Sequence, residues 1–519
     1  MKLMHWQAAP GLLAALMLSG WPAEAQIPQV FSLHTPISGQ PSQLLPGSGS
    51  PPSGSGPGFD AIAELQPGST ITPPDPNVAI GTVVAATGEQ YLVESVNKGL
   101  RAFRTNGAPA SSYTPFAHPV NGFFSKPLVS IFDPRLVFDP YTQRFVLIAL
   151  ERDKPNGTGF IHIAVSESAD PLGAWHVFKT GVPTASAWHP DYPSLAVDRQ
   201  AVYIGANLFI GDPAPTDPPD ALLYRAIAKS TLFSPTNPQI TTMIDVVETT
   251  PSPQYHWAMR AAQPYGLPLN APAVGLFLGS FRRENDPLHT AVFQKLRAVK
   301  MRNPLDFNAV SLTGVDVPVP AYSEPSQDGP QKCAGQTLDV SSGQIQNAVW
   351  RKGDLYAAHT VPVAGVNTVR WYQIRTGPPD APVAWSQLVQ DGEIRGDLTS
   401  QHTYLPAVGV DGQGSLVIAY AQSSANDPVS FRIAARAACD AHSTTQYRSI
   451  VKVVDQCYLE STQAAPPYRW GDYWGVAVDP ASPPLLWAVG EYVKAGTQWG
   501  TWIVPIVITP DCPACACSR

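Results

Sequence analysis

The chain has 519 residues, and only 14% of them are charged, 33 Lys and Arg against 40 Asp and Glu, for a net charge of −7. That balance leaves no basic footprint for nucleic acid or for anionic lipid. Proline (55) and glycine (40) approach a fifth of the residues, which excludes a long helical protein and points to short strands joined by many turns.

The N-terminus reads as an export signal. Lys2 precedes an apolar run over residues 8–18, and Ala23-Glu24-Ala25 stands ahead of Gln26. This is a short positive region, an apolar segment too short to span a bilayer, and a small-x-small cleavage site. A signal peptide over residues 1–25 is therefore expected, with a mature chain starting at Gln26 that is secreted, periplasmic or at the cell surface. No later stretch approaches the roughly 18 apolar residues of a membrane helix, so no membrane insertion is expected. A strand near residues 30–33, within 26–35, is the candidate for closing the fold against its last repeat. Residues 36–74, through Pro46-Gly47-Ser48-Gly49-Ser50-Pro51-Pro52, carry too few apolar side chains to pack and read as a linker.

From 75 to 508 one pattern recurs: an apolar run, a turn rich in Asp, Pro or Gly, and a second apolar run. The turns fall at Asp139-Pro140, Asp198-Arg199, Lys352-Gly353-Asp354, Asp411-Gly412 and Asp479-Pro480. Asp starts such turns because its carboxylate bonds the backbone two residues on. Counting a hairpin over 78–97 and a degenerate one over 271–281, the chain carries seven units. Hairpins of near-continuous apolar residues need both faces covered, so successive units must stack on one another. Radial stacking achieves this, and the expected fold is all-β: a single, monomeric β-propeller of seven four-stranded blades.

Six cysteines remain for an oxidising compartment. Cys439 and Cys457 flank a hairpin and could staple it, but six cysteines allow about 15 pairings and the sequence leaves the connectivity open. Cys512, Cys515 and Cys517 lie on a tail, 509–519, that lacks the second cysteine pair or the histidines of a zinc site, so no metal is expected there.

Several segments together resemble a large, mostly uncharacterised family of exported bacterial β-propeller proteins, similar to the sialidase-like propellers. They are Asp133-Pro134-Arg135, Ser168-x-Asp170-Pro171-x-Gly173-x-Trp175, Asp191-Tyr192-Pro193, Gln346-Asn347-Ala348-Val349, Arg469-Trp470-Gly471-Asp472-Tyr473, Val478-Asp479-Pro480, Glu491-Tyr492 and Trp499-Gly500-Thr501-Trp502. The resemblance implies fold and export and no particular reaction. Ser168 to Trp175 is similar to the Asp-box hairpin of sialidases, with an extra residue before Gly173 and Ala174 in place of Thr. The three arginines, Tyr–Glu pair and acid Asp of a sialidase find no matching set of positions.

No nucleophile elbow, zinc-protease, dinucleotide or phosphate-loop motif occurs. In the propeller reading, residues before each inner strand and after the following one gather at one channel mouth, opposite the Asp turns. The expected ligand-binding residues there are Asp133, Arg135, His189, Tyr192, His359, Arg469 and Tyr473. Asp472, Glu491 and Asp191 are the carboxyls available as catalytic acid, base or nucleophile toward a glycan. Each has a structural alternative: Arg469 with Asp472 as a pair locking the last repeat, His359 as a core histidine, the tryptophans as filling between blades. The expected partner is an extracellular glycan, bound or cleaved by a glycoside hydrolase or polysaccharide lyase. The alternative is a non-catalytic adhesion or protein-interaction scaffold bound to a surface protein. No cofactor is expected, a structural Ca2+ excepted.

Overall fold

The computed structural model describes the strand Gln29–Ser32, residues 58–64 and residues 72–508 apart from short internal stretches. The expected signal peptide, most of the expected linker and the cysteine-bearing tail lie outside the described residues.

The described residues are almost entirely strand and turn; the only helices among them are Lys229–Leu232 and the 3-10 turn Val383–Trp385. The strands form antiparallel meanders in chain order. The first sheet comprises Asn77–Ile80, Tyr91–Val96, Gly99–Arg104 and Thr114–Pro115, and the second Ile131–Asp139, Arg144–Asp153, Thr158–Ser166 and Ala174–Gly181. The third comprises Trp188–Val197, Ala201–Ile210, Ala221–Ala228 and Met243–Thr249; the fourth Gln254–Tyr265, Val274–Arg283, Phe293–Arg302 and Ser311–Tyr322. The fifth holds Asn347–Arg351, Asp354–Val363, Val366–Arg375 and Gln387–Ile394, and the sixth His402–Val410, Leu416–Ser423, Ser430–Arg436 and Tyr447–Val453. Gly475–Val478, Leu485–Ala495 and Gln498–Val507 begin the last. The first strand of each sheet touches the first strand of the next, and that of the last touches that of the first, so the inner strands close a ring.

Burial explains why the sheets stack. Ala221–Ala228 is buried at every residue and Ala201–Ile210 at all but its last. Such strands have no solvated face, and each sheet therefore needs a neighbour on both sides. Large aromatics fill the wedges: Trp175, Trp371, Trp470 and Trp499 are fully buried, and Trp175 sits 5.5 Å from Phe123 and 6.2 Å from Phe145. The fourth and fifth sheets go further, pairing main chain to main chain in parallel from Ala262 opposite Ala348 to Tyr265 opposite Arg351.

The Asp turns fold as expected. Asp198 Oδ1 accepts from the N–H groups of Gln200 and Ala201 (both 2.7 Å), Asp411 from those of Gln413, Gly414 and Ser415, and Asp479 from those of Ala481 and Ser482. In the segment similar to an Asp-box, Asp170 Oδ1 accepts from Leu172 N (2.9 Å) and Trp175 Nε1 donates to Pro171 O (3.0 Å).

Two expectations are corrected. Gln29–Ser32 is a strand, but it pairs antiparallel with Ala174–Gly181 at the outer edge of the second sheet. The outer place on the last sheet is taken by Phe59–Ala63, from within the expected linker, which pairs with Gln498–Val507. That short stretch is held by apolar and polar contacts together: Ile62 is buried in the core with Phe59 packed against it, Ile62 N donates to Glu94 Oε2 (3.1 Å) and Thr501 Oγ1 (2.9 Å), and Thr501 Oγ1 donates to Ile62 O. Of the pairings the sequence leaves open, Cys457 takes Cys333, 124 residues away in sequence, and not Cys439 across the hairpin. Proximity along a hairpin is no guide where a long connection folds back onto the ring.

Candidate functional site

The site is built by a repeated irregularity of the inner strands. Their ladders shift register between Phe132 and Arg135, Asp191 and Ser194, Trp257 and Arg260, and Tyr404 and Ala407. One residue in each bulge has left-handed backbone: Asp133 (φ 52°), Tyr192 (52°), Ala258 (49°) and Leu405 (53°). A bulge frees a backbone N–H from the ladder and re-aims the side chains around it. Each freed N–H donates to a side chain of the preceding sheet: Asp133 to Asn97 Oδ1 (2.7 Å), Tyr192 to Asp133 Oδ2 (3.1 Å), Ala258 to Asn207 Oδ1 (2.9 Å) and Leu405 to Thr360 Oγ1 (3.2 Å).

At one end of the channel these stitches become a closed circuit. Asn97 Nδ2 donates to Asp75 Oδ2 (2.6 Å), Asp75 Oδ1 accepts from Asp472 N (2.7 Å), and the Tyr192 hydroxyl donates to Asp472 O (3.0 Å). Four segments distant in sequence are thereby joined through Asp75, Asn97, Asp133, Tyr192 and Asp472. Desolvation and crowding raise the pKa values of Asp75, Asp133 and Asp191. Burial, then the Asp472 charge, pushes Asp75 up to about 7. Asp133 is raised well above the usual range by burial and by Asp191. Burial and the nearby Asp472 push Asp191 up to about 6.

Asp472 itself is paired with the Arg469 guanidinium, which also lies 3.5 Å from Asp339. The Asp472 carboxylate is one-fifth exposed and Arg469 two-fifths, and Asp191 is partly exposed. These three present charge or a titratable proton to solvent at the mouth. A small ribbon of Gly329–Pro330, Thr337–Asp339 and Tyr468–Arg469 carries the arginine into place.

The other expected site residues take different positions. Glu491 is fully buried beneath Gly471: its Oε1 accepts from Trp474 Nε1 (3.0 Å), and burial and Asp75 raise its pKa well above the usual range. Gly471 has φ +147°, and a Cβ there would stand 2.5 Å from Glu491 Oε1. His359 is a core histidine. Its ring nitrogens lie 2.8 Å from Gly343 O and 2.9 Å from the Tyr372 hydroxyl, its ring stacks edge-on with Tyr322, and burial pulls it down to about 3. It therefore stays neutral inside the ring, and the ligand role expected of it is corrected. His189 is buried and stacks on Phe209 within its own sheet.

Arg135 and Tyr473 form a plug with Tyr192 and Arg260. The Arg135 guanidinium carbon lies 3.2 Å from the centre of the Tyr473 ring, that of Arg260 lies 3.6 Å from the Tyr192 ring, and the two tyrosines meet edge-on at 5.9 Å. Arg260 was not singled out in the sequence. Its signal was its position two residues past the left-handed Ala258, as Arg135 stands two past Asp133. Among the described residues no group of three or more His, Cys, Asp or Glu is placed to hold a metal ion, and no helix is long and apolar enough to cross a membrane.

No family model and no curated protein matches the chain. Among solved structures it is similar to a Hadza microbial sialidase, Hz136 (10% identity, TM-score 0.35, covering 79% of this chain and 76% of that one). It is also similar to Penicillium chrysogenum α-L-arabinanase complexed with arabinobiose (12%, 0.35, 73% and 98%) and to the parainfluenza virus 5 hemagglutinin-neuraminidase ectodomain (8%, 0.36, 73% and 82%). The chemistry of the site has to come from its own residues.

Proposed function

We propose that the chain is an exported seven-bladed β-propeller that binds an extracellular glycan at the channel mouth and hydrolyses it with Asp191 and Asp472. One observation carries this reading: two neighbouring, partly exposed carboxyls stand in unlike environments, Asp191 raised to about 6 and Asp472 paired with Arg469. Two carboxyls whose surroundings push them apart are the acid and base that glycoside hydrolysis needs. Asp191 gives its proton to the glycosidic oxygen as the C–O bond breaks, and Asp472 takes one from the water that attacks the sugar carbon. Arg469, exposed beside them, suits an acidic sugar. The disulfide between Cys333 and Cys457 fits an oxidising compartment.

A second reading has an observation of its own. The main chain of Asp472 and the side chains of Asp75 and Asp133 are already engaged in the hydrogen-bond circuit, as a rigid, non-catalytic recognition surface requires. Purified protein screened against neutral and acidic polysaccharides, with new reducing ends and 235 nm absorbance as readouts, separates the two. Reducing ends lost in Asp191→Asn support hydrolysis, and absorbance at 235 nm indicates elimination instead. Binding without turnover supports recognition alone, and neither binding nor turnover across the panel rejects a glycan function.

A further inference from the structure

Beneath the tyrosine plug, on the side away from the mouth, the inner strands enclose a cavity of about 270 Å³. It reaches the turn face between Pro140, Gly266, Pro480 and Pro483. Its wall is largely aliphatic, with Val78, Val137, Leu195, Ala261 and Val476 facing it. Three amides on the wall are engaged, Asn77 Oδ1 accepting from Leu136 N, Gln263 Oε1 from Val197 N and Asn347 Oδ1 from Val408 N, while Gln346 Oε1 has no hydrogen-bond partner.

The closed end is different. Arg135 and Arg260 both line it, with 5% and 1% of their surface exposed. Arg135 Nε donates to Pro193 O (2.8 Å). Arg260 Nε donates to Ile345 O (2.9 Å), and its Nη1 to Pro193 O (2.7 Å) and Tyr192 O (3.1 Å). Nη2 of each has no hydrogen-bond partner, and neither residue forms an ion pair among the described residues. Asp133, the carboxyl nearest in sequence to Arg135, is pushed well above the usual carboxylate range by burial and gives an oxygen to Tyr192 N. Burial pulls Arg260 down to about 9, and the like charge of Arg135 adds to the effect. Two buried cations with spare donors, partnered by carbonyl oxygens and by the faces of Tyr473 and Tyr192 but by no anion, are costly unless one compensates them.

We propose that this channel is a binding site for a small monovalent anion, a halide or a short carboxylate, held between the Nη2 groups of Arg135 and Arg260 and reached from the turn face. The aliphatic wall disfavours strongly hydrated divalent anions, and planar guanidinium groups suit both a spherical halide and a two-oxygen carboxylate.

The test uses the full mature protein in sodium sulfate at fixed ionic strength, with stepwise replacement by chloride, bromide, formate or acetate, while the melting temperature is followed. The expected result is a saturable rise of several degrees for the halides, the carboxylates or both, with the responding series naming the ligand. Bromide at millimolar concentration should give an anomalous scattering peak between Arg135 and Arg260. Arg260→Met should abolish the peak and the saturable rise. Val137→Phe, which narrows the channel and leaves both arginines in place, should weaken the response at least tenfold and keeps the test open if Arg260→Met does not fold. A melting temperature that follows ionic strength alone, or bromide found only elsewhere, overturns the proposal.

Discussion

Glu94 offers a direct test of how the ring is closed. Its side chain is fully buried at the seam between the first sheet and the closing strand Phe59–Ala63, where Oε2 accepts from Ile62 N and Oε1 has no hydrogen-bond partner. Burial pushes its pKa up from 4.5 to about 8 against the smaller opposing pull of Thr501, Ile62 and Arg101. Because the folded value lies above the unfolded one, the native state holds a proton that the unfolded chain releases above pH 4.5. Stability is therefore lost as pH rises from about 4.5 to about 8, at about 1.4 kcal/mol per pH unit and about 5 kcal/mol in all, and no further above that. Glu94→Gln keeps the acceptor for Ile62 and has no proton to lose. Other buried groups also titrate, His359 with the opposite sign below pH 6.5, but they are common to both proteins and cancel in the comparison. Urea midpoints measured from pH 5 to 9 should diverge, with the variant the more stable by several kcal/mol at pH 8.5. Parallel curves would refute the claim that Glu94 is protonated at this seam, and with it the polar part of the account of closure.

Asp472→Asn should abolish glycan binding or turnover while leaving the melting temperature within a few degrees, since its main-chain bonds persist; calorimetric binding and differential scanning check both halves. Turnover should fall as pH rises through about 6, where Asp191 loses the proton its acid role requires, and a pH–rate profile flat from 5 to 7.5 would count against that role. Gly471→Ala places a Cβ 2.5 Å from Glu491 Oε1 on a backbone with φ +147°, so a loss of about 3 kcal/mol or more is expected from urea unfolding. Replacing Cys333 and Cys457 by Ser opens a loop spanning 124 residues and should cost up to about 5 kcal/mol, read as a lowered urea midpoint relative to the parent protein.

The repeat was legible because its signals are local. Asp198, Asp411 and Asp479 cap their own turns through bonds two to four residues long, and the mostly apolar runs over 201–208 and 221–228, interrupted only by Asn207 and Arg225, require neighbours whatever the topology. The mouth was legible in part: Asp133, Tyr192 and Asp472 do meet, since the residues flanking inner strands gather at one end of a ring. What failed was pairing over distance. Residues 29–32 and 59–63 are both short, and groups remote in sequence, among them Glu94 and Thr501 on Ile62 and Tyr492 on Asp60, select the second for the last sheet. Cys457 finds Cys333 for the same reason. Burial depth was also hidden: nothing in Gly-Glu-Tyr at 490–492 announces that Glu491 lies under Gly471, and His359 looked like a strand-end residue until its two partners, Gly343 and Tyr372, were in view.

The parallel main-chain pairing of residues 262–265 with 348–351 makes the ring mechanically uneven. Two sheets joined by main-chain hydrogen bonds over four residue pairs resist tilting against each other more than sheets that meet through side chains alone. Widening of the channel is then easier in the side-chain seams on the far side. There the first sheet meets its neighbours, Glu94 reaches the closing strand, and Asp75 reaches Asp472. The molecule thus places its main-chain joint across the ring from Asp75 and Glu94, which burial pushes up to about 7 and about 8.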